Sequence, residues 1–109
     1  MLRIQRDINQ WYAQVHLLAR EIGREDVDLA RQLRRSATSV GTNVAEGVGA
    51  RGLLRRKAYR IALAEMRESM GAIDMALAAE IVAPLPADEA DRMQKIVATL
   101  VNLAKPWEA

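Results

Sequence analysis

Ile4, Ile8, Trp11, Val15, Leu18 and Ile22 follow one another at alternating intervals of four and three residues. That spacing returns every side chain to one face of an α-helix, whereas a strand repeats every second residue and would scatter them over both faces. The stripe predicts a helix over about Arg3 to Ile22, with Tyr12 and Leu17 widening its apolar face. Gly23 is placed to end it, because glycine accepts the left-handed conformation after a last helical turn. An amphipathic helix is stable in water mainly through the face it packs on its neighbours. The rest of the chain must therefore supply partners.

It supplies three. Asp26 is a natural N-cap for a second helix from Val27 to about Gly47, carrying Leu33, Val40, Val44 and Val48 at helical spacing. Gly41 interrupts that helix on propensity alone, at a cost of about 1 kcal/mol, and close packing against a neighbouring helix would compensate. A third helix is expected from about Leu53 to Ala83. Leu63, Met66, Met70, Ile73, Leu77 and Ile81 form its large apolar stripe, and Ala58, Ala62, Ala72, Ala76 and Ala79 form a second seam of small residues beside Glu65, Glu68 and Ser69. Pro84 and Pro86 are expected to end it, since proline lacks the backbone donor and clashes with the preceding turn. Asp88, Glu89 and Asp91 suit the start of a fourth helix, where the macrodipole favours anions. Met93, Ile96, Val97, Leu100, Leu103, Ala104 and Trp107 form its buried stripe, and Pro106 its limit.

At 109 residues there is room for one core and not two. Four amphipathic helices joined by short turns make residues 1–109 one all-α domain, an antiparallel, up-down-up-down four-helix bundle. No apolar run reaches the ~20 residues that a membrane span requires. The charged N-terminal stretch does not resemble a signal peptide. The absence of cysteine removes disulfides and thiolate chemistry. A cytoplasmic protein fits these features.

Residues 33–52 are crowded with small side chains around Arg34, Arg35, Asn43 and Glu46, and RRSATSVGTNVAEG is followed by KAYRIALAEMRES. These two segments resemble the paired signature of the bacterial four-helix bundle proteins, also called 23S rRNA intervening-sequence proteins because some are encoded inside insertions in rRNA genes. Arg35, Ser36, Ser39, Val40, Asn43, Val44 and Glu46 fill the first motif, and Ala62, Glu65, Glu68 and Ser69 fill the second. The resemblance implies the same bundle fold. Through a distant branch, the accessory proteins of diversity-generating retroelements, it also implies a homo-oligomer, with a homopentamer the favoured form. The seam of small residues on the third helix is a candidate subunit contact.

Charge is segregated along the chain. Residues 31–60 hold eight bases against one acid, and residues 61–91 hold seven acids against one base. Arg51, Arg55, Arg56, Lys57 and Arg60 fall within ten residues and are candidate contacts for the phosphates of RNA or DNA. The same charges can instead be neutralised by the acidic segment, within the fold or between subunits. Glu65 and Glu68, three apart on a helix, are expected to pair with Arg34 or Arg35, and Asn43 and Glu46 to belong to the same structural polar pairing. His16, the only histidine, is read as structural.

No catalytic constellation or metal-ligand cluster emerges, and no cofactor is implied. Gly47, Gly49 and Gly52 match G-x-G-x-x-G formally, but no strand precedes them, so they read as a helix–helix turn. The expected function is therefore nonenzymatic: an oligomeric bundle that binds nucleic acid through a basic surface, or an oligomeric scaffold for a protein partner.

Overall fold

The computed structural model describes residues 1–106 and contains four helices: α1 (Arg3–Gly23), α2 (Val27–Gly49), α3 (Gly52–Ala78) and α4 (Ala87–Ala104). Each packs on the next, and α4 closes the bundle against α1. Tyr12 on α1 meets Thr38 on α2, Ser36 meets Ser69 across α2 and α3, and Ile8 lies beside Gly41. Low numbers on one helix face high numbers on the next, as antiparallel neighbours require. The bundle is up-down-up-down, and its longest dimension is 48 Å.

The helix ends show which local chemistry acts. Asp26 caps α2 as expected, its Oδ1 accepting from the Leu29 backbone N–H at 2.9 Å. Gly23 does not stop α1 in the left-handed region. It is the last residue of the helix, and a Cβ there would sit 3.4 Å from the Ala30 Cβ, a contact the α1–α2 corner could accommodate. Helix α3 stops five residues before the expected Ala83, and the prolines are not the cause. Glu80 takes φ +57°, and the N–H groups of Glu80 and Ile81 turn back to the carbonyls of Leu77 (3.1 Å) and Ala76 (2.9 Å). That is a Schellman closure, built on a residue other than the usual glycine. Pro84 lies in the loop beyond, and Pro86 stands immediately before α4.

The core follows the predicted stripes, with two changes. On α1 the fully enclosed position beside Val15 goes to Ala19, and Leu18 is half-buried. On α3 the small residues lie deeper than the large ones. Ala58, Ala62, Ser69, Ala72 and Ala76 are buried with Met66 and Ile73, whereas Leu63, Met70 and Leu77 are half-buried. The seam expected at a subunit contact instead faces the inside of the bundle, where α2 and α3 make their most extensive contact. On α4, Met93, Ile96, Leu100 and Ala104 are buried, Val97 half-buried and Leu103 exposed. Trp107 lies outside the described residues. No described helix is long and apolar enough to cross a membrane.

Candidate nucleic-acid interface

The expected basic cluster begins at the α2–α3 turn, where Ala50 and Arg51 are extended and Gly52 takes φ +59°. Arg55, one turn into α3, reaches back across this link. Its Nε donates to the carbonyls of Ala50 (2.8 Å) and Gly47 (3.1 Å), and its Nη2 to that of Val48 (3.4 Å). The last carbonyls of a helix have no partners of their own and carry the negative end of the macrodipole. A guanidinium with five donors suits them. Arg55 is thus a C-terminal cap for α2 rather than a free surface cation.

The remaining members divide by angle around α3. Arg56 and Arg60 are four residues apart, and Arg67 lies eleven beyond Arg56, about three helical turns. The three share one outward stripe roughly 16 Å long, with Arg60 and Arg67 exposed and Arg56 half-buried. None of them forms an ion pair among the described residues. Arg67 is absent from the expected cluster because it sits inside the acidic stretch of sequence. Its helical spacing from Arg56 and Arg60 is the signal that places it here. Exposed Lys57 lies about 100° around α3 from Arg56, toward Leu54 and Ile61, where a shallow cleft of about 290 Å³ opens toward Asn43 and Glu46 of α2. Arg51 is exposed at the start of the helix.

No acidic residue occupies the first turn of α3. Cations there meet the positive end of the helix dipole, an arrangement that raises the local potential and that a bound anion would relieve. Aromatic side chains offer little for stacking on bases. Trp11 and Tyr59 are each 3% exposed, and the Tyr12 hydroxyl bonds Thr38 at 3.1 Å.

The polar pairing of α2 and α3 forms a separate group. Arg35, not Arg34, holds both carboxylates: its Nη2 donates to Glu68 at 2.6 Å and its Nη1 to Glu65 at 3.4 Å. Burial, reinforced by the neighbouring Glu68 charge, pushes the Glu65 carboxyl up despite Arg35. The hydrogen bond from Arg35 holds Glu68 below its ordinary value, and the same pairing raises Arg35. Arg34 is half-buried and enters no ion pair among the described residues. The Asn43 amide donates within its own helix, to the Ser39 carbonyl at 2.9 Å and the Ser39 hydroxyl at 3.1 Å. Glu46 is exposed beside the Lys57 cleft and joins no ion pair among the described residues.

Deeper in the same interface lies a contact that the sequence reading does not anticipate. Ser36 and Ser69 are fully buried, with their hydroxyl oxygens 2.7 Å apart. The two hydroxyls also approach the carbonyls of Leu33 (3.2 Å) and Glu65 (3.0 Å). Two protons serve three contacts, so one hydroxyl donates across the interface while the other turns to its own helix. His16 is exposed, with its ring tilted beside Tyr12 at a centroid distance of 6.1 Å. The described residues hold no group of three or more potential metal ligands.

The sequence model of the 23S rRNA-intervening sequence proteins matches residues 2–103. The chain belongs to that family. A crystal structure of a protein of unknown function from the S23 ribosomal protein family of Bacteroides thetaiotaomicron superposes with a TM-score of 0.81, covering 94% of this chain and 98% of that one. At 18% identity the likeness establishes the shared fold. No curated protein matches the sequence. In this member of the 23S rRNA-intervening sequence family, the residues of both motifs lie along the α2–α3 pair, and the arginine stripe flanks them on α3.

Proposed function

We propose that this protein is a nonenzymatic nucleic-acid-binding module, which grips the phosphate backbone of RNA or DNA with the outward face of α3. The observation that carries this reading is the outward stripe Arg56, Arg60 and Arg67, with no carboxylate among the described residues paired to any of them. Arg51 and Lys57 extend the positive surface. Phosphate neutralisation reads charge and shape rather than base identity, and the burial of Trp11 and Tyr59 removes two of the few stacking platforms that single-strand readout would use. The family description, which ties these proteins to sequences intervening in 23S rRNA, is consistent with a nucleic-acid partner. In this reading the protein works in the cytoplasm as a homo-oligomer, with five subunits the number implied by the retroelement relatives. Repeated copies of the stripe then add weak contacts through multivalency.

The test is affinity for RNA and for duplex DNA across a salt series, with the parent compared with the triple variant Arg56→Gln, Arg60→Gln, Arg67→Gln. Loss of three phosphate contacts should flatten the log–log salt slope by about 2 to 3 and weaken both polymers together. A parent that binds neither polymer at low salt sinks the proposal. A second reading, an oligomeric protein–protein scaffold, is favoured by Leu53 and Leu54, each 71% exposed at the start of α3.

A further inference from the structure

Arg34 and His16 take no part in the α3 stripe or in the Arg35 network, yet the fold brings them to one level of the groove between α1 and α2. The Tyr12 and Thr38 hydroxyls touch at 3.1 Å, which fixes how the two helices face each other. His16 stands one turn along α1 from Tyr12, and Arg34 one turn back along α2 from Thr38. Antiparallel neighbours place two such residues opposite each other. Arg20, another turn along α1, is exposed at the outer edge of the same groove.

Thr38 Oγ1 donates to the Arg34 carbonyl at 2.8 Å, so the Tyr12 O–H donates to Thr38. Both hydroxyl protons are thus used within the groove, and its free donors are the cations. Arg34 is half-buried, and neither it nor Arg20 pairs with a carboxylate among the described residues. Asp28, six residues before Arg34, is engaged by Arg31 at 3.2 Å. A guanidinium without an anion keeps its planar fork open, and that fork matches two oxygens of a phosphate. Beside it, the exposed His16 ring lies 33° from the plane of the Tyr12 ring. A planar ring next to such a cation offers a surface for a base and a grip for its phosphate. Two guanidiniums suit a terminal phosphate, with a charge of about −1.5 to −2 at pH 7, better than a singly charged internal one.

We propose that the α1–α2 groove is a nucleotide site, in which Arg34 holds a terminal phosphate, Arg20 adds charge and the His16 ring supports the base. The ligand is a nucleotide with a terminal phosphate, either free in solution or at the end of a strand. The site lies on α1 and α2, away from the Arg56–Arg60–Arg67 stripe of α3. It stands whether or not that stripe binds nucleic acid.

His16 is the only histidine, so its imidazole proton resonances report on the groove in the full-length protein. The probes are AMP, adenosine, inorganic phosphate, and an RNA trinucleotide with and without a 5′-phosphate, all at constant ionic strength and pH 7. AMP is expected to shift the imidazole resonances saturably, with adenosine and inorganic phosphate each binding about tenfold or more weakly. Arg34→Met, which keeps the apolar stem and removes the fork, should weaken AMP by about tenfold or more at an unchanged melting temperature. Arg34→Lys keeps the charge without the fork, should bind between the two, and carries the test if Arg34→Met fails to fold. Arg60→Gln should bind AMP like the parent, so failure of this site and failure of the α3 stripe are read separately. A phosphorylated trinucleotide that binds more tightly than AMP makes a strand end the ligand; equal or weaker binding makes it the free nucleotide. The proposal is overturned if neither AMP nor the phosphorylated trinucleotide gives a saturable shift. It is equally overturned if adenosine binds as well as AMP, or if the folded Arg34 variants bind AMP undiminished.

Discussion

Gly47 of α2 lies so close to the ring of Tyr59 on α3 that a Cβ at Gly47 would stand 2.9 Å from two of the ring carbons. Tyr59 is 3% exposed, so its ring has little room to withdraw. Gly41, on the same helix, has only Ile8 nearby, at an ordinary 3.8 Å. The two glycines should therefore respond with opposite sign. Gly47→Ala is expected to destabilise by about 1–3 kcal/mol through overpacking. Gly41→Ala should be neutral or stabilising by up to about 1 kcal/mol, the helix propensity gained. Urea midpoints of the two variants measure this, and equal shifts would mean that the α2–α3 approach is misplaced.

Truncation of the core should grade with depth. Leu33, Val40 and Leu100 are fully enclosed, whereas Leu77 is half-buried and lines an open cleft between α3 and α4. Leu33→Ala and Leu100→Ala should cost about 2–5 kcal/mol each, transfer and cavity together. Leu77→Ala should cost clearly less, because its site is already open to water. Chemical denaturation of the three variants checks the order.

The bundle was legible because periodicity survives in each helix, and Asp26 announced α2 through its side-chain oxygen. What stayed hidden depends on rotation between helices, which no single helix reports. Arg34 and Arg35 differ by ~100° around α2, and only the docking of α3 decides that Arg35 faces both glutamates. The end of α3 was hidden for another reason. Glu80 takes a conformation favoured by glycine, while the conspicuous prolines lie beyond it in the loop. Arg67 was masked by linear charge counting, and angle around the helix recovers it.

Glu65 and Glu68 should give opposite pH signatures. Glu68 has a depressed carboxyl, so it contributes stability above its unfolded-state value, and that contribution is lost as pH falls through the lower folded-state value. Glu65 has a raised carboxyl, so its contribution is present below the unfolded value and is lost as pH rises through the folded one. At neutral pH the Glu65 charge is thus held at a cost, and that of Glu68 is a gain. Glu68→Gln should lower the melting temperature at pH 7 and reduce the acid sensitivity of the protein. Glu65→Gln should leave the melting temperature unchanged or raise it. Both carboxylates lie near the surface, with side chains 20% and 45% exposed, so the effects are those of a partly screened network rather than of a buried ion pair.

Arg55 separates the architecture of the basic turn from its binding. Its guanidinium is already engaged with the carbonyls of Gly47, Val48 and Ala50, whereas Arg60, five residues on, is exposed and enters no ion pair among the described residues. Removing the Arg55 head group leaves the C-terminal carbonyls of α2 to water and withdraws a cation from the negative end of that helix, a loss of about 1 kcal/mol. Arg55→Gln should therefore lower the denaturation midpoint, while the folded variant keeps the parent's affinity for RNA at moderate salt. Arg60→Gln should do the reverse, with stability unchanged and the salt slope of binding shallower by about 0.7 to 0.9, the share of one phosphate contact. Paired melting and binding measurements on the two variants resolve the assignment. If Arg55→Gln loses affinity as steeply as Arg60→Gln at unchanged stability, the guanidinium leaves its cap to reach phosphate, and the turn itself joins the interface.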